Sequence, residues 1–222
     1  MQYLYYKDAS KEIVTITNEE YKYLFKVRRF KVGSFVELRN LIDSNIYLYK
    51  IVTIDKKKAI LELLGSEEKV IMPIKNLIIG WCIIDPKIIE KSIASLNEIG
   101  VSKIVFIKCA YTQANFKINI DRLEKILINS SQQCGRSSLM KLEFANSIHD
   151  YLIKYPNSYL LDFSQNKVNN SLKISSIVVG CEGGLSEDER ALFKAEKKVG
   201  FDTPLILRSE SAAISVASKI LI

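Results

Sequence analysis

Three short segments hold residue types that could do chemistry. In "VVGCEGGLSEDERALF" (178–193) an aliphatic run is followed at once by Gly180, Cys181, Glu182, Gly183 and Gly184. Three glycines in five positions remove side chains where a backbone turns sharply or where something must approach it closely. Ser186-Glu187-Asp188-Glu189 then reads as a capping box, a Ser N-cap with Glu three residues on. Strand, glycine turn and capped helix together are a common seat for a ligand in α/β proteins. A tight βα turn with no ligand would use the same residues. "QQCGR" (132–136) and "LILRSESAA" (205–213) also gather unusual residues at expected element ends.

Other chemistries lack material. The dinucleotide fingerprint GxGxxG and the phosphate loop GxxxxGK[ST] are both absent. Cys82, Cys109, Cys134 and Cys181 lie far apart with no CxxC spacing, which argues against a zinc site and for reduced thiols in a cytosolic protein. A single histidine, His149, leaves little for a His-rich metal site or a Ser-His-Asp triad. No metal is expected.

The elements that must position these segments fall into two regions. Residues 1–72 read as mostly β. "SFVELRN", "NIYLYKIVTID" and "KAILELL" are short, β-branched and aromatic, and separated by turn residues. "NEEYKYLFKVRRF" is the one helical stretch, with Tyr21, Leu24, Phe25 and Arg28 on one side. A small barrel or sandwich is the expectation. Pro73 ends this region.

From residue 73 the rhythm changes to alternating strands and helices, which argues a mostly parallel sheet. "LIIGWCII" is a continuous apolar strand. Asp85-Pro86 then supplies an N-cap and a first-turn proline for a helix that stops at Gly100. "KIVFIKC", "SYLLDFS" and "SIVVG" are further strands, and "DRLEKILINSSQQCGR" is a helix. "TPLILRSESAAISVASKILI" reads as a last short strand and a small-residue helix.

At 222 residues the chain can bury a sizeable core, and 48% hydrophobic with 26% charged residues is ordinary for a soluble globular protein. No apolar run approaches a membrane span, and "MQYLYYKDASKE" has no signal-peptide pattern. The net charge of +7 permits a polyanionic partner. It is shared between the regions: 13 Lys/Arg against 10 Asp/Glu over 1–72, and 19 against 15 over 73–222. Lys22, Lys26, Arg28, Arg29 and Lys31 are interleaved with Tyr21, Tyr23, Phe25 and Phe30. That pattern suits phosphate contact with base stacking, or a solvated helix face. Lys56-Lys57-Lys58 fits a β-turn.

The order QxGR, strand-GxEGG-Leu-Ser-helix, then ILRxExA before a small-residue helix resembles the small-subunit ribosomal RNA uridine N3-methyltransferases, members of the SPOUT superfamily. "LFKVRRFKVGSFVEL", with Arg29 and Gly33, and "EIGV" (98–101) are similar to that family's opening segment and first-helix ending. There are departures. Cys181 stands where the family has proline, Lys22 and Tyr23 replace histidines, and Ser95 replaces a lysine. Thr203 and Leu205 stand for a glycine and an arginine, and Ser211 for a threonine.

The resemblance implies an α/β architecture: a PUA-like β-barrel RNA-binding domain over 1–72 and a trefoil-knotted methyltransferase domain over 73–222. It also implies S-adenosylmethionine as cofactor, held by Leu160, Leu161 and Asp162, by Gly180, Glu182, Gly183 and Gly184, and by Ile206, Leu207, Ser209 and Ala212. The implied reaction is methyl transfer to N3 of a uridine in 16S ribosomal RNA. That nitrogen is a poor nucleophile until its proton leaves, so the site needs a base or cationic groups. Arg208 and Glu210 are the catalytic candidates, with Glu182 as another possible base. Lys26, Arg29, Gln133 and Arg136 are the RNA contacts. A cytoplasmic homodimer acting on 16S rRNA or the small subunit follows from the same resemblance. The rival readings are a knotted ribose 2′-O-methyltransferase and a non-catalytic ribosome-assembly protein.

Overall fold

The computed structural model describes residues 2–169 and 172–222, which form two compact units. The first comprises residues up to Met72 together with Ser131–Leu139, and the second comprises Pro73–Ser130 and Met140–Ile222. The sequence boundary between Met72 and Pro73 thus coincides with a change of unit. Residues 131–139, expected with the second domain, go with the first.

The first unit is one five-stranded sheet. Its strands are β1 (Leu4–Tyr5), β2 (Ile13–Thr17), β3 (Phe35–Arg39), β4 (Asn45–Ile54) and β5 (Lys58–Glu68), in the spatial order β1-β3-β4-β5-β2. β1 runs parallel to β3 and the other pairs are antiparallel. Alternate apolar side chains such as Leu38, Tyr49, Ile51 and Leu61 turn inward and are fully buried, as the two-residue period of a strand requires. β1 and β2 were not anticipated, although Ile13–Thr17 is a β-branched run with the alternating burial of a strand. Lys56-Lys57-Lys58 occupies the turn into β5, closed by the Asp55 N–H donating to the Lys58 carbonyl (2.8 Å).

Helix α1 (Asn18–Tyr21) continues as a π-helical turn over Lys22–Val27. Arg28 N–H donates to the Tyr23 carbonyl five residues back (2.9 Å), and Arg29 follows in the left-handed region at φ 57°. Tyr21 and Leu24 are buried and Phe25 is half-buried, as their helical spacing predicted. Arg28, expected on that side, is exposed. The five cations of this stretch all face solvent.

The segment 131–139 is tied into this sheet by main-chain chemistry. Gln132 accepts from Gln2 N–H at its carbonyl (2.8 Å) and from Tyr5 N–H at Oε1 (2.6 Å), so it supports β1. The Tyr3 hydroxyl donates to the Arg136 carbonyl (2.6 Å).

The second unit is a six-stranded, all-parallel sheet in the order β11-β9-β10-β6-β7-β8. The strands are β6 (Ile78–Cys82), β7 (Lys103–Ile107), β8 (Lys141–Ala145), β9 (Tyr159–Leu161), β10 (Ser176–Val179) and β11 (Lys198–Val199). The helices are α2 (Pro86–Ile99), α3 (Ile120–Cys134), of which residues 131–134 belong to the first unit, α4 (Ile148–Lys154), α5 (Glu187–Ala191) and α6 (Ser209–Leu221). The caps read from the sequence are present. Asp85 accepts from Lys87 N–H (2.8 Å) with Pro86 behind it, and Gly100 ends α2 at φ 110°.

One reading is corrected here. "TPLIL" (203–207) is not a strand. Pro204 has no ladder donor, and the Thr203 hydroxyl accepts from Leu205 N–H (3.2 Å) in a local turn, so Leu205 and Ile206 are exposed. The edge strand is β11 instead. β8 and α4 were not anticipated; Ser147 caps α4 by accepting from Asp150 N–H (3.0 Å), and His149 lies exposed in its first turn. Among the described residues no helix is long and apolar enough to cross a membrane.

Candidate functional site

From β6 the chain moves through β7 to β8 on one side, then returns to lay β9, β10 and β11 on the other. In an open α/β sheet, a ligand crevice forms outside the carboxyl ends of strands near such a reversal of order. A cavity of about 640 Å³ opens at the carboxyl ends of β9 and β10. Every residue assigned to the cofactor in the sequence lines it: 160–162 after β9, the glycine turn after β10, and the last loop with the start of α6.

The glycine turn is shaped as its sequence suggests. Gly184 has φ 73°, and its N–H donates to the Cys181 carbonyl (2.9 Å). A Cβ on Gly183 would meet Tyr111 Cβ at 3.1 Å, so a side chain there would press on Tyr111. Helix α5 follows with a complete capping box. Ser186 Oγ accepts from Glu189 N–H (3.2 Å) and Glu189 Oε2 accepts from Ser186 N–H (2.9 Å). Glu189 Oε1 also accepts from Ala110 N–H (2.8 Å), which braces the turn against residues 109–112.

The cations around the cavity differ in their commitments. Arg190 Nε lies 3.5 Å from Asp162 Oδ2, joining α5 to the end of β9. Lys167 Nζ donates to the carbonyls of Phe201 (3.0 Å) and Ser164 (3.3 Å). Arg208, exposed at the N-cap of α6, has no hydrogen-bond or ion-pair partner for its guanidinium among the described residues. A permanently charged, five-donor group at a cavity wall is free to meet an anionic or carbonyl oxygen.

The two candidate bases separate. Glu182 is exposed and lines the cavity, whereas Glu210, in the first turn of α6, is not part of the lining. There Glu210 carries the negative charge that a helix N-terminus favours. Ser209, assigned to the cofactor, is 6% exposed, and its hydroxyl is engaged with Trp81 and Gly180, so it holds the wall in place.

The RNA-contact candidates also divide. Lys26 and Arg29 are exposed, and so is Gln133. Arg136 is only 4% exposed, and burial pulls its pKa below the usual guanidinium range. Its side chain is packed rather than presented to solvent.

Sequence reasoning missed Tyr111, Arg190 and Gly200. A Cβ on Gly200 would lie 2.7 Å from the Ser164 carbonyl oxygen and 2.8 Å from that of Asp162. Gly200 N–H donates to Asn166 O (2.7 Å), and its own carbonyl accepts from Val168 N–H (2.9 Å). A lone glycine after an apolar strand residue is the signal that would have found it. Among the described residues no cluster of His, Cys, Asp or Glu could hold a metal ion.

Comparison with known proteins fits this geometry. An RNA methyltransferase domain matches residues 72–221, and an RNA methyltransferase PUA domain matches residues 16–64. The ribosomal RNA small subunit methyltransferase E of Helicobacter pylori is 38% identical over 222 residues, covering 98% of each chain. The chain belongs to the ribosomal RNA small subunit methyltransferase E family. Among solved structures, a Legionella pneumophila methyltransferase with bound S-adenosylmethionine aligns over 98% of this chain and 95% of its own, at TM-score 0.79 and 20% identity. The Neisseria gonorrhoeae ribosomal RNA small subunit methyltransferase E, also bound to S-adenosylmethionine, aligns over the same shares at TM-score 0.76 and 16% identity. At these identities the likeness is one of fold, an α/β methyltransferase domain behind a PUA-like domain.

Proposed function

We propose that this member of the methyltransferase E family transfers a methyl group from S-adenosylmethionine to N3 of a uridine in 16S ribosomal RNA. The observation that carries the reading is the uncommitted guanidinium of Arg208 on the wall of a glycine-edged cavity. The cavity fits the cofactor's nucleoside part: Leu160, Leu161, Val179 and Leu207 give apolar surface, and the glycine turn offers backbone groups without side chains in the way. When bound, the cofactor supplies an electrophilic methyl on a sulfonium.

The chain's own residues have the remaining task. Uridine N3 becomes a nucleophile when its proton leaves and the negative charge spreads onto the flanking carbonyl oxygens. Arg208 favours that anion by donating to one of those oxygens, an interaction stronger in the transition state than in the neutral base. Of the two carboxylates in the cavity lining, Asp162 is paired with Arg190, so Glu182 takes the proton; Glu210 supports the start of α6. The exposed Lys26 and Arg29 hold RNA phosphates and set its position without reading its sequence. The homodimer, the trefoil knot and the cytoplasmic location belong to the same reading and are supported by family membership.

The test is transfer of labelled methyl to small ribosomal subunits lacking the modification, with the product mapped by reverse transcription. Wild type should give label and one transcriptase stop, because an N3-methyl blocks the pairing edge. Arg208→Ala should lose rate by about 10²–10³-fold, the scale of removing one donor to a developing oxyanion. Label without a stop would identify ribose methylation, and tight RNA binding without label would identify an assembly protein.

A further inference from the structure

Three thiols remote in sequence meet beside the cavity. Cys82 ends β6, Cys109 lies two residues past β7, and Cys181 lies two residues past β10, on three adjacent strands. All three are buried and free, and the sulfurs of Cys109 and Cys181 are 3.5 Å apart. Cys181 lines the cavity, Cys109 beside it keeps 8% of its surface exposed, and Cys82 is fully buried. Cys109 is also in contact with the Thr112 hydroxyl (3.3 Å), and its own N–H donates to Thr112 Oγ1 (3.0 Å).

We infer that Cys109 and Cys181 are a reversible dithiol–disulfide pair, and that its oxidation by hydrogen peroxide locks the glycine turn and weakens ligand binding in the cavity. The effect on the ligand rests on the cofactor reading above; the disulfide itself does not.

The chemistry balances with peroxide as the oxidant. The Cys109 sulfur attacks one peroxide oxygen, the O–O bond breaks, and water leaves with the thiol proton, giving a sulfenic acid on Cys109. The neighbouring Cys181 and Cys82 thiols, the Thr112 hydroxyl and the Tyr111 N–H lower the Cys109 pKa and favour it as the attacking sulfur. The Cys181 sulfur then attacks the Cys109 sulfur, the S–O bond breaks, and a second water carries off the Cys181 proton. Two thiols and one peroxide become a disulfide and two waters.

A disulfide needs its sulfurs at about 2.05 Å, so the 3.5 Å separation must shorten by more than an ångström. The new bond ties the glycine turn covalently to the 109–112 segment, which it already meets where Gly183 abuts Tyr111 and where Glu189 Oε1 accepts from Ala110 N–H. The turn so tied is the edge of the cavity.

The experiment uses the full chain with Cys134→Ser, which removes the thiol of the first unit. Peroxide treatment, alkylation of remaining thiols and peptide mapping should yield a Cys109–Cys181 linkage that dithiothreitol reverses and Cys181→Ala lacks. Titration with S-adenosylmethionine should show an affinity weaker by about tenfold in the oxidised protein, restored on reduction. A Cys82–Cys109 linkage, thiols that stay free, or a mapped Cys109–Cys181 disulfide with unchanged affinity each overturn the inference. If the reduced protein itself binds no S-adenosylmethionine, the cofactor reading fails, while the peptide map still decides the pair. Should Cys181→Ala not fold, the map of the Cys134→Ser protein alone decides it.

Discussion

The Ser209 hydroxyl donates to the Gly180 carbonyl at 2.5 Å while accepting from Trp81 Nε1 at 2.9 Å. This one buried oxygen joins the start of α6 to the end of β10 and to β6, and so fixes two walls of the cavity relative to each other. Ser209→Ala removes one partner from each bond and leaves a buried indole N–H and a backbone carbonyl unsatisfied. The expected loss is about 1–3 kcal/mol of stability, read by urea denaturation. S-adenosylmethionine affinity should fall alongside it. Unchanged stability with lost binding would instead make Ser209 a direct ligand contact.

Gly200 makes a sharper demand. Alanine there would bring a Cβ within 2.8 Å of two carbonyl oxygens, both backbone atoms that cannot rotate away. The expected cost of forcing this contact is about 1–3 kcal/mol, and the loop from Asp162 to Lys167 should shift with it. Calorimetric titration of Gly200→Ala should show weakened cofactor binding even where a melt shows the protein folded. Wild-type affinity would mean that this loop is not part of the cofactor wall.

These two residues mark where the sequence is legible and where it is not. The capping box at Ser186, the Asp85-Pro86 start and the Gly100 stop are local chemistry, set within four residues, and each occurs where its pattern places it. The walls of the cavity were readable because motifs sit at the carboxyl ends of apolar strands. Convergence was not readable. Cys109 and Cys181 lie 72 residues apart, and only the parallel order β10-β6-β7 brings their strand ends together. The strand expected over 203–207 failed because apolar content outweighed Pro204, the one residue that forbids it. The burial of Arg136 was not readable, because charge alone says nothing of packing.

A pH dependence follows from a cluster at the edge of the parallel sheet. Glu143 on β8 accepts from Lys103 Nζ on β7 and from Lys154 Nζ on α4 (2.6 Å), and these bonds hold its carboxyl below the usual glutamate range. A depressed folded pKa contributes stability that is present above the unfolded value, about 4.3, and is lost as pH falls through the folded value. Lys103 is raised, by the Glu143 bond first, so its contribution is present below the ordinary lysine range and lost as pH rises through the folded value. Glu143→Gln should therefore destabilise at neutral pH by less than about 1 kcal/mol, since the carboxylate is partly solvated. Melts of both proteins should converge at acidic pH. A constant gap down to pH 3 would sink the assignment.

The two classes of arginine in the first unit should separate by salt and by heat. Lys26 and Arg29 are exposed, so their removal should leave the melt unchanged and weaken RNA binding mainly at low salt. Arg29 sits at φ 57°, so asparagine, which tolerates that conformation, is the fair replacement. For Lys26→Ala with Arg29→Asn, the slope of log K against log salt should become shallower by about 0.7 per lost phosphate contact on single-stranded RNA. Arg136→Ala should do the reverse. Its side chain is buried, so its loss should lower stability by about 1–3 kcal/mol while the salt slope stays put. A reduced slope with an unchanged melt would show Arg136 meeting phosphate after all, and would require this unit to open that side chain to solvent when RNA binds.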